Sequence, residues 1–115
     1  MKSVKSKELV EEAIVAFTLG DAAGALAKLD EAERQGEEDA QLWLARAEIL
    51  LAEGHLEEAV VAGERALRLS EEDIHINTTL SRIWVALGNK EKAEYYGGQA
   101  KILSWKGEIH KTLDN

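Results

Sequence analysis

Residues 40–69 read AQLWLARAEILLAEGHLEEAVVAGERALRL, with apolar side chains recurring every three or four residues on both sides of Gly54. This spacing is typical of amphipathic helices and not of strands. Glycine tolerates the left-handed backbone that ends many helices, so Gly54 marks a turn between two helices. The stretch therefore predicts a helical hairpin whose first helix covers residues 40–53.

The same pattern occurs three times at a fixed spacing of 34 residues, because Gly20 and Gly88 match Gly54. Two alanines follow each glycine at constant distances: Ala25 and Ala32, Ala59 and Ala66, Ala93 and Ala100. A fixed period of this length is the signature of stacked helical hairpins, in which small side chains let neighbouring helices approach closely. We therefore expect one all-α domain with units at residues 6–39, 40–73 and 74–107, and with first helices over 7–19, 40–53 and 73–87.

Polar residues next to the glycines predict how the helices begin. Asp21 and Asn89 follow two of the turns as good N-caps, whereas His55 is a weaker one at the same position. Ser70 and Asp73 together resemble a capping box at the start of the first helix of the third unit.

On these positions the chain resembles the tetratricopeptide repeat family over residues 6–103. The second unit matches the family's signature best, at Trp43, Ala47, Leu50, Gly54, Leu56, Ala59, Ala66 and Leu67. The resemblance implies a right-handed superhelical stack of three helix–turn–helix hairpins with a C-terminal solvating helix, and a function in binding other proteins. The chain departs from the family in having no proline, and in having Leu29, Gly63 and Gly97 where a large aromatic residue is usual.

Residues 104–115 follow the third unit and are expected to form that solvating helix. Open arrays need a polar-faced helix to cover their last apolar surface. Trp105, Ile109 and Leu113 lie four residues apart and form one stripe. We expect Trp105 to pack inward; alternatively, the stripe is presented to a partner or folds back into the groove.

The resemblance also implies a ligand site, because the first helices of this family line a concave groove. The matching positions here are Lys7, Val10, Ile14, Phe17, Leu44, Glu48, Leu51, His75, Thr78, Arg82 and Val85. Such a mainly apolar set suits the apolar face of a helix, or an extended segment with apolar anchors. The alternative is that some of these residues pack against a neighbouring first helix or the C-terminal helix.

Charge and composition limit the partners. The net charge is −8, and the third unit with the C-terminal segment is basic while the first two units are acidic. An acidic surface repels phosphate backbones, so nucleic acid is an unexpected partner. No apolar run reaches the ~20 residues of a membrane span, and the N-terminus does not resemble a signal peptide. A protein or peptide partner and a cytoplasmic location are expected.

The chain shows no pattern typical of catalysis. It has no cysteine, its three histidines lack helical metal-binding partners, and its glycines form no phosphate loop. We therefore expect no enzyme, no metal and no cofactor. Three functions remain open at this point: an adaptor that binds a peptide or helix, a small chaperone for a secretion-system or other complex subunit, and a self-assembling module. The last of these would form a homo-oligomer through its C-terminal segment.

Overall fold

The computed structural model describes residues 5–36 and 39–113, and this part of the chain is helical and contains no strand. Its six helices, in chain order, are α1 (Ser6–Thr18), α2 (Ala22–Arg34), α3 (Ala40–Ala52), α4 (Leu56–Leu69), α5 (Ile74–Ala86) and α6 (Lys90–Leu113). The all-α prediction is confirmed. The first helices α1, α3 and α5 lie within a residue or two of the expected ranges.

The three glycines that set the repeat end α1, α3 and α5 in the same way. Gly20, Gly54 and Gly88 have φ angles of 91°, 81° and 78°, as the left-handed turn predicts. At the middle turn the Gly54 amide donates to the Leu51 carbonyl at 3.1 Å, and the His55 amide donates to Leu50 at 2.9 Å. The other two turns repeat this pair of bonds, which satisfies carbonyls that a helix end would otherwise leave unpaired. Identical turns therefore place each second helix alike.

The expected N-caps Asp21 and Asn89 are present, whereas the cap expected at Ser70 is wrong. The Asp21 carboxylate accepts a hydrogen bond from the Gly24 amide at 2.8 Å, whereas the His55 side chain caps nothing. Ser70 does not open α5; it is the residue that ends α4. The cap of α5 is Asp73, whose carboxylate accepts from the Ile76 amide at 3.0 Å. Asp73 immediately precedes the helix, so its short side chain reaches the first-turn amides.

The helices pack as hairpins, α1 with α2, α3 with α4 and α5 with α6. Neighbouring hairpins meet through α2 against α3 and α4 against α5. In addition, α1 contacts α3 and α3 contacts α5, while the described parts of α2, α4 and α6 do not contact one another. The first helices therefore form one connected layer, and the second helices lie beside it.

The repeated small residues occupy the interfaces between helices. Five of the six alanines that follow the turns are at most 6% exposed, and Ala100 is 9% exposed. Gly63 lies at one of these interfaces, since a Cβ atom built on it would lie 2.7 Å from Cδ2 of Leu80. Glycine at this helix-interior position thus permits α4 and α5 to approach more closely than any side chain would allow.

A polar cluster ties α2 to the second hairpin. The Arg46 guanidinium pairs with Asp30 at 3.0 Å and with Glu33 at 3.2 Å. It also lies 5.4 Å from the ring centre of Trp43, whose other cationic neighbour, Arg65, lies 4.4 Å away. Trp43 and the Arg46 side chain are only 9% and 15% exposed, and cation–π contacts removed from water contribute up to about 2 kcal/mol. We assign Arg46 and Trp43 a packing role.

The expected separate helix over residues 104–115 does not form, because α6 continues without interruption to Leu113. Residues 114 and 115 lie outside the described part of the chain. Gly97, Gly98 and Gly107 lie inside α6 without the positive φ that ends α1, α3 and α5. Since the chain also has no proline, nothing in this segment stops the helix. Trp105 is 70% exposed and therefore does not pack inward.

Candidate functional site

One row of apolar residues crosses the layer of first helices at a single repeat position. Phe17 in α1, Leu51 in α3 and Val85 in α5 are spaced 34 residues apart and are each supplied by one helix of the layer. Phe17 and Leu51 are half-buried, and Val85 is 66% exposed. We call these three residues the apolar row.

The other apolar residues expected in the groove divide between the surface and the core. Ile14 is 49% exposed, but Val10 and Leu44 are only 5% and 3% exposed. Val10 and Leu44 occupy the same repeat position in α1 and α3, and each of these helices is covered by the next first helix. The two side chains therefore belong to the core below the surface. Thr78, at the same position in α5, is exposed, and no further first helix covers it within the described residues.

Polar groups from the expected set flank the apolar row. His75 Nε2 of α5 lies 3.1 Å from Glu48 Oε2 of α3, which brings two predicted groove residues together across neighbouring helices. Arg82 and Lys7 are exposed on α5 and α1. The surface thus combines apolar anchors with one fixed polar pair and two exposed cations.

An open cleft of about 530 Å³ adjoins the Val85 end of the row, between α5 and α6. Ser81, Ala93 and Gly97 line it, and the Ser81 hydroxyl donates to the Ala93 carbonyl at 2.7 Å. A Cβ atom on Gly97 would lie 3.2 Å from that hydroxyl oxygen, so the missing side chain keeps the two helices close. Sequence reasoning did not place this cleft, because its walls come from residues 16 positions apart in two helices.

A second apolar surface lies along α6. Its members are 50–75% exposed and include the stripe expected from sequence: Tyr95, Ile102, Trp105, Ile109 and Leu113. The neighbouring Tyr96 is half-buried and packs edge-on against Tyr95, with 5.1 Å between the ring centres. Burial raises the pKa of Tyr96, and the nearby Glu64 carboxylate adds to this effect. Tyr95 and Ile102 were not included in the expected stripe, although their spacing was readable.

The outward side of α1 is acidic. A cleft of about 620 Å³ is lined there by Glu8, Glu11 and Glu12, above the exposed side chains of Val15 and Leu19. Lys28 of α2 pairs with Glu12 at 2.9 Å, and the hydrogen bond that Lys28 donates to that carboxylate raises the pKa of Lys28. This end of the array therefore presents carboxylates to its surroundings.

No protein-family model matches this chain, and comparison with curated proteins finds no significant match. Over residues 5–36 and 39–113, no group of three or more histidines and carboxylates is arranged to hold a metal ion. Within the same ranges, no helix combines the length and the apolar character needed to cross a bilayer.

Proposed function

We propose that this protein is a protein-interaction module of the tetratricopeptide repeat type, and that the layer of α1, α3 and α5 binds a peptide or an amphipathic helix of a partner. The observation that carries the proposal is the apolar row, in which Phe17, Leu51 and Val85 recur at one position of three successive units. In a protein with no neighbour on this side, such a row leaves apolar surface in water.

The contacts between helices favour a superhelical stack with this layer on the inner side. Neighbouring first helices contact one another, while the second helices, as far as they are described, do not. Elements that touch on one side and separate on the other make an array that curves toward the touching side. Three identical turns at a period of 34 residues also support a regular stack.

The spacing of the apolar row suggests the form of the ligand. Axes of packed helices lie about 8–10 Å apart. A segment in the polyproline II conformation has three residues per turn and advances about 3.1 Å per residue, so apolar anchors three residues apart lie on one side and would meet successive members of the row. The cleft beside Val85 would accept the bulkiest anchor. Arg82 and Lys7 favour a ligand with acidic residues between its anchors.

Selection from a random peptide library displayed on phage tests this proposal. We expect enriched peptides to carry apolar residues at intervals of three or, if helical, at intervals of three and four. Val85→Glu should abolish their binding, because Val85 is exposed and its loss leaves the core intact. Leu51→Glu should do the same with helix content near that of the unchanged protein.

The matched control is Val61→Glu on α4, since Val61 is 64% exposed and lies outside the first-helix layer. It should bind the selected peptides as the unchanged protein does. Circular dichroism shows whether each variant is folded. Folded Val85→Glu and Leu51→Glu variants that retain binding would contradict the proposed site, and an enrichment lost equally in Val61→Glu would show a nonspecific apolar effect.

A further inference from the structure

The exposed side of α6 carries the spacing of a coiled-coil seam. Tyr95, Gly98, Ile102, Trp105 and Ile109 follow one another at intervals of three and four residues. Sustained alternation of this kind places all five on one stripe of a helix, the a and d positions of a heptad repeat. Leu113 follows four residues later and extends the stripe. We call these six residues the α6 seam.

Most of the seam faces solvent, although Tyr95 also lines a pocket with Leu67 and Arg68 of α4. Ala93 and Ala100, the only buried residues of α6 within its described length, lie on the opposite side of the helix, where it meets α5. Beyond Leu103, every described residue of α6 is exposed. The C-terminal half of the seam is therefore open to a second helix.

We infer that the α6 seam pairs with the same seam of a second copy, in an antiparallel dimer. The charges that flank the seam select both the partner and the direction. Lys101 and Glu108 occupy the same flanking position in successive heptads, and both are exposed. When Ile102 faces Trp105 of the second copy in antiparallel register, Lys101 faces Glu108 of that copy, and the pair occurs twice.

A parallel arrangement brings like charges together. In that case, Lys101 of one copy meets Lys106 of the other, which already pairs with Glu72 of its own chain at 3.5 Å, and no pair of opposite charges forms across the seam. The antiparallel register also matches large residues with small ones. It sets Ile109 of one copy opposite Gly98 of the other, where a Cβ atom would have no neighbour within 4 Å.

The dimer can be measured as a mass in solution. Sedimentation equilibrium should give twice the 12.7 kDa chain mass, with a concentration-dependent fall to the monomer. Trp105→Glu should be monomeric with unchanged circular dichroism, because the side chain is 70% exposed. The matched control Val61→Glu removes a similarly exposed apolar residue from α4 and should remain dimeric. An unchanged protein that is monomeric at every accessible concentration would overturn the inference.

Charge reversal distinguishes this dimer from a head-to-tail assembly in which α6 docks on the acidic cleft of α1. Lys101→Glu and Glu108→Lys should each raise the dimer dissociation constant about tenfold. The two substitutions together should restore it, since they recreate an opposite-charge pair. In a head-to-tail assembly, by contrast, Glu108→Lys would tighten association. That result, or failure of the double variant to recover, would overturn the inference.

Crosslinking tests the direction, and the chain contains no cysteine of its own. Gly98→Cys and Ile109→Cys chains are mixed and oxidised. The antiparallel register predicts that each variant links mainly to the other. Links formed only within each variant would show a parallel pair and overturn the proposed register.

Discussion

The two ends of this helical array differ in chemistry at positions that the repeat makes equivalent. Glu8 of α1 occupies the place of Leu42 in α3 and Ile76 in α5, both of which are 0% exposed. Leu42 and Ile76 belong to helices that follow another hairpin, whereas α1 follows none in the described chain. A carboxylate thus replaces an apolar side chain where the structure has no neighbouring hairpin.

The change continues along α1. Glu11 stands where α3 has Ala45 and α5 has Thr79, which are 4% and 0% exposed. Val15 keeps the apolar character that Ile49 and Ile83 have at its position, but it is 57% exposed. The opposite end of the array differs from this one, since α6 is longer than the second helices α2 and α4 and has an exposed apolar seam. The repeat therefore determines the residues of the interior, whereas the residues exposed at the two ends differ: carboxylates on α1 and an apolar seam on α6.

The largest effect is expected from testing one repeat position in two units. Leu42→Ala should lower the free energy of unfolding by about 2–5 kcal/mol, because it leaves a cavity in the core. Glu8→Ala, at the equivalent exposed position, should change it by no more than about 0.5 kcal/mol. Urea unfolding followed by circular dichroism measures both. Equal losses would mean that α1 has a covered outward side and that the ends are not distinct.

A smaller effect separates the glycines inside the second helices. Gly63→Ala should destabilise the protein by about 1–2 kcal/mol, since the new methyl group would crowd Leu80. Gly107→Ala adds the same methyl group in open space near the end of α6. It should stabilise the helix by about 0.5–1 kcal/mol. Thermal unfolding at a fixed protein concentration checks the signs; a stabilising Gly63→Ala would show that α4 and α5 separate easily.

The smallest effect concerns the three turns. Asp21 caps α2, and Asn89 Oδ1 accepts from the Lys92 amide at 3.0 Å, but His55 makes no cap at the same position. His55→Asp should therefore add about 0.5–1 kcal/mol to the free energy of unfolding, and Asp21→Ala should remove about 1 kcal/mol. If denaturant unfolding shows no gain from His55→Asp, the middle turn has a geometry that differs from its neighbours.

The sequence predicted those features that depend on local spacing. The turns at Gly20, Gly54 and Gly88 and the buried alanines follow from the 34-residue period, because the same residue type recurs at the same position of each unit. The burial of Val10 and Leu44 could not be inferred in this way, since it depends on which helix covers them in the next unit.

Residues 104–113 are helical as expected, but the start of a separate helix there and the inward packing of Trp105 were predicted wrongly, for a related reason. The family resemblance ended at residue 103 and a separate helix was expected after it, but a helix ends only where its residues stop it. No proline or left-handed glycine interrupts α6, and the spacing of three and four continues from Tyr95 through Trp105 to Ile109. The length of α6 therefore depends on the absence of a helix-breaking residue in this segment and not on the 34-residue period.

Amide hydrogen exchange at several protein concentrations tests the difference between the two ends most directly. We predict that protection of residues 104–113 increases as the concentration rises, because the α6 seam becomes covered by a second copy, while protection of residues 8–18 in α1 stays constant. Protection that rises in α1 and α6 together would indicate head-to-tail stacking. Protection in α6 that does not depend on concentration would contradict the proposed role of its exposed seam.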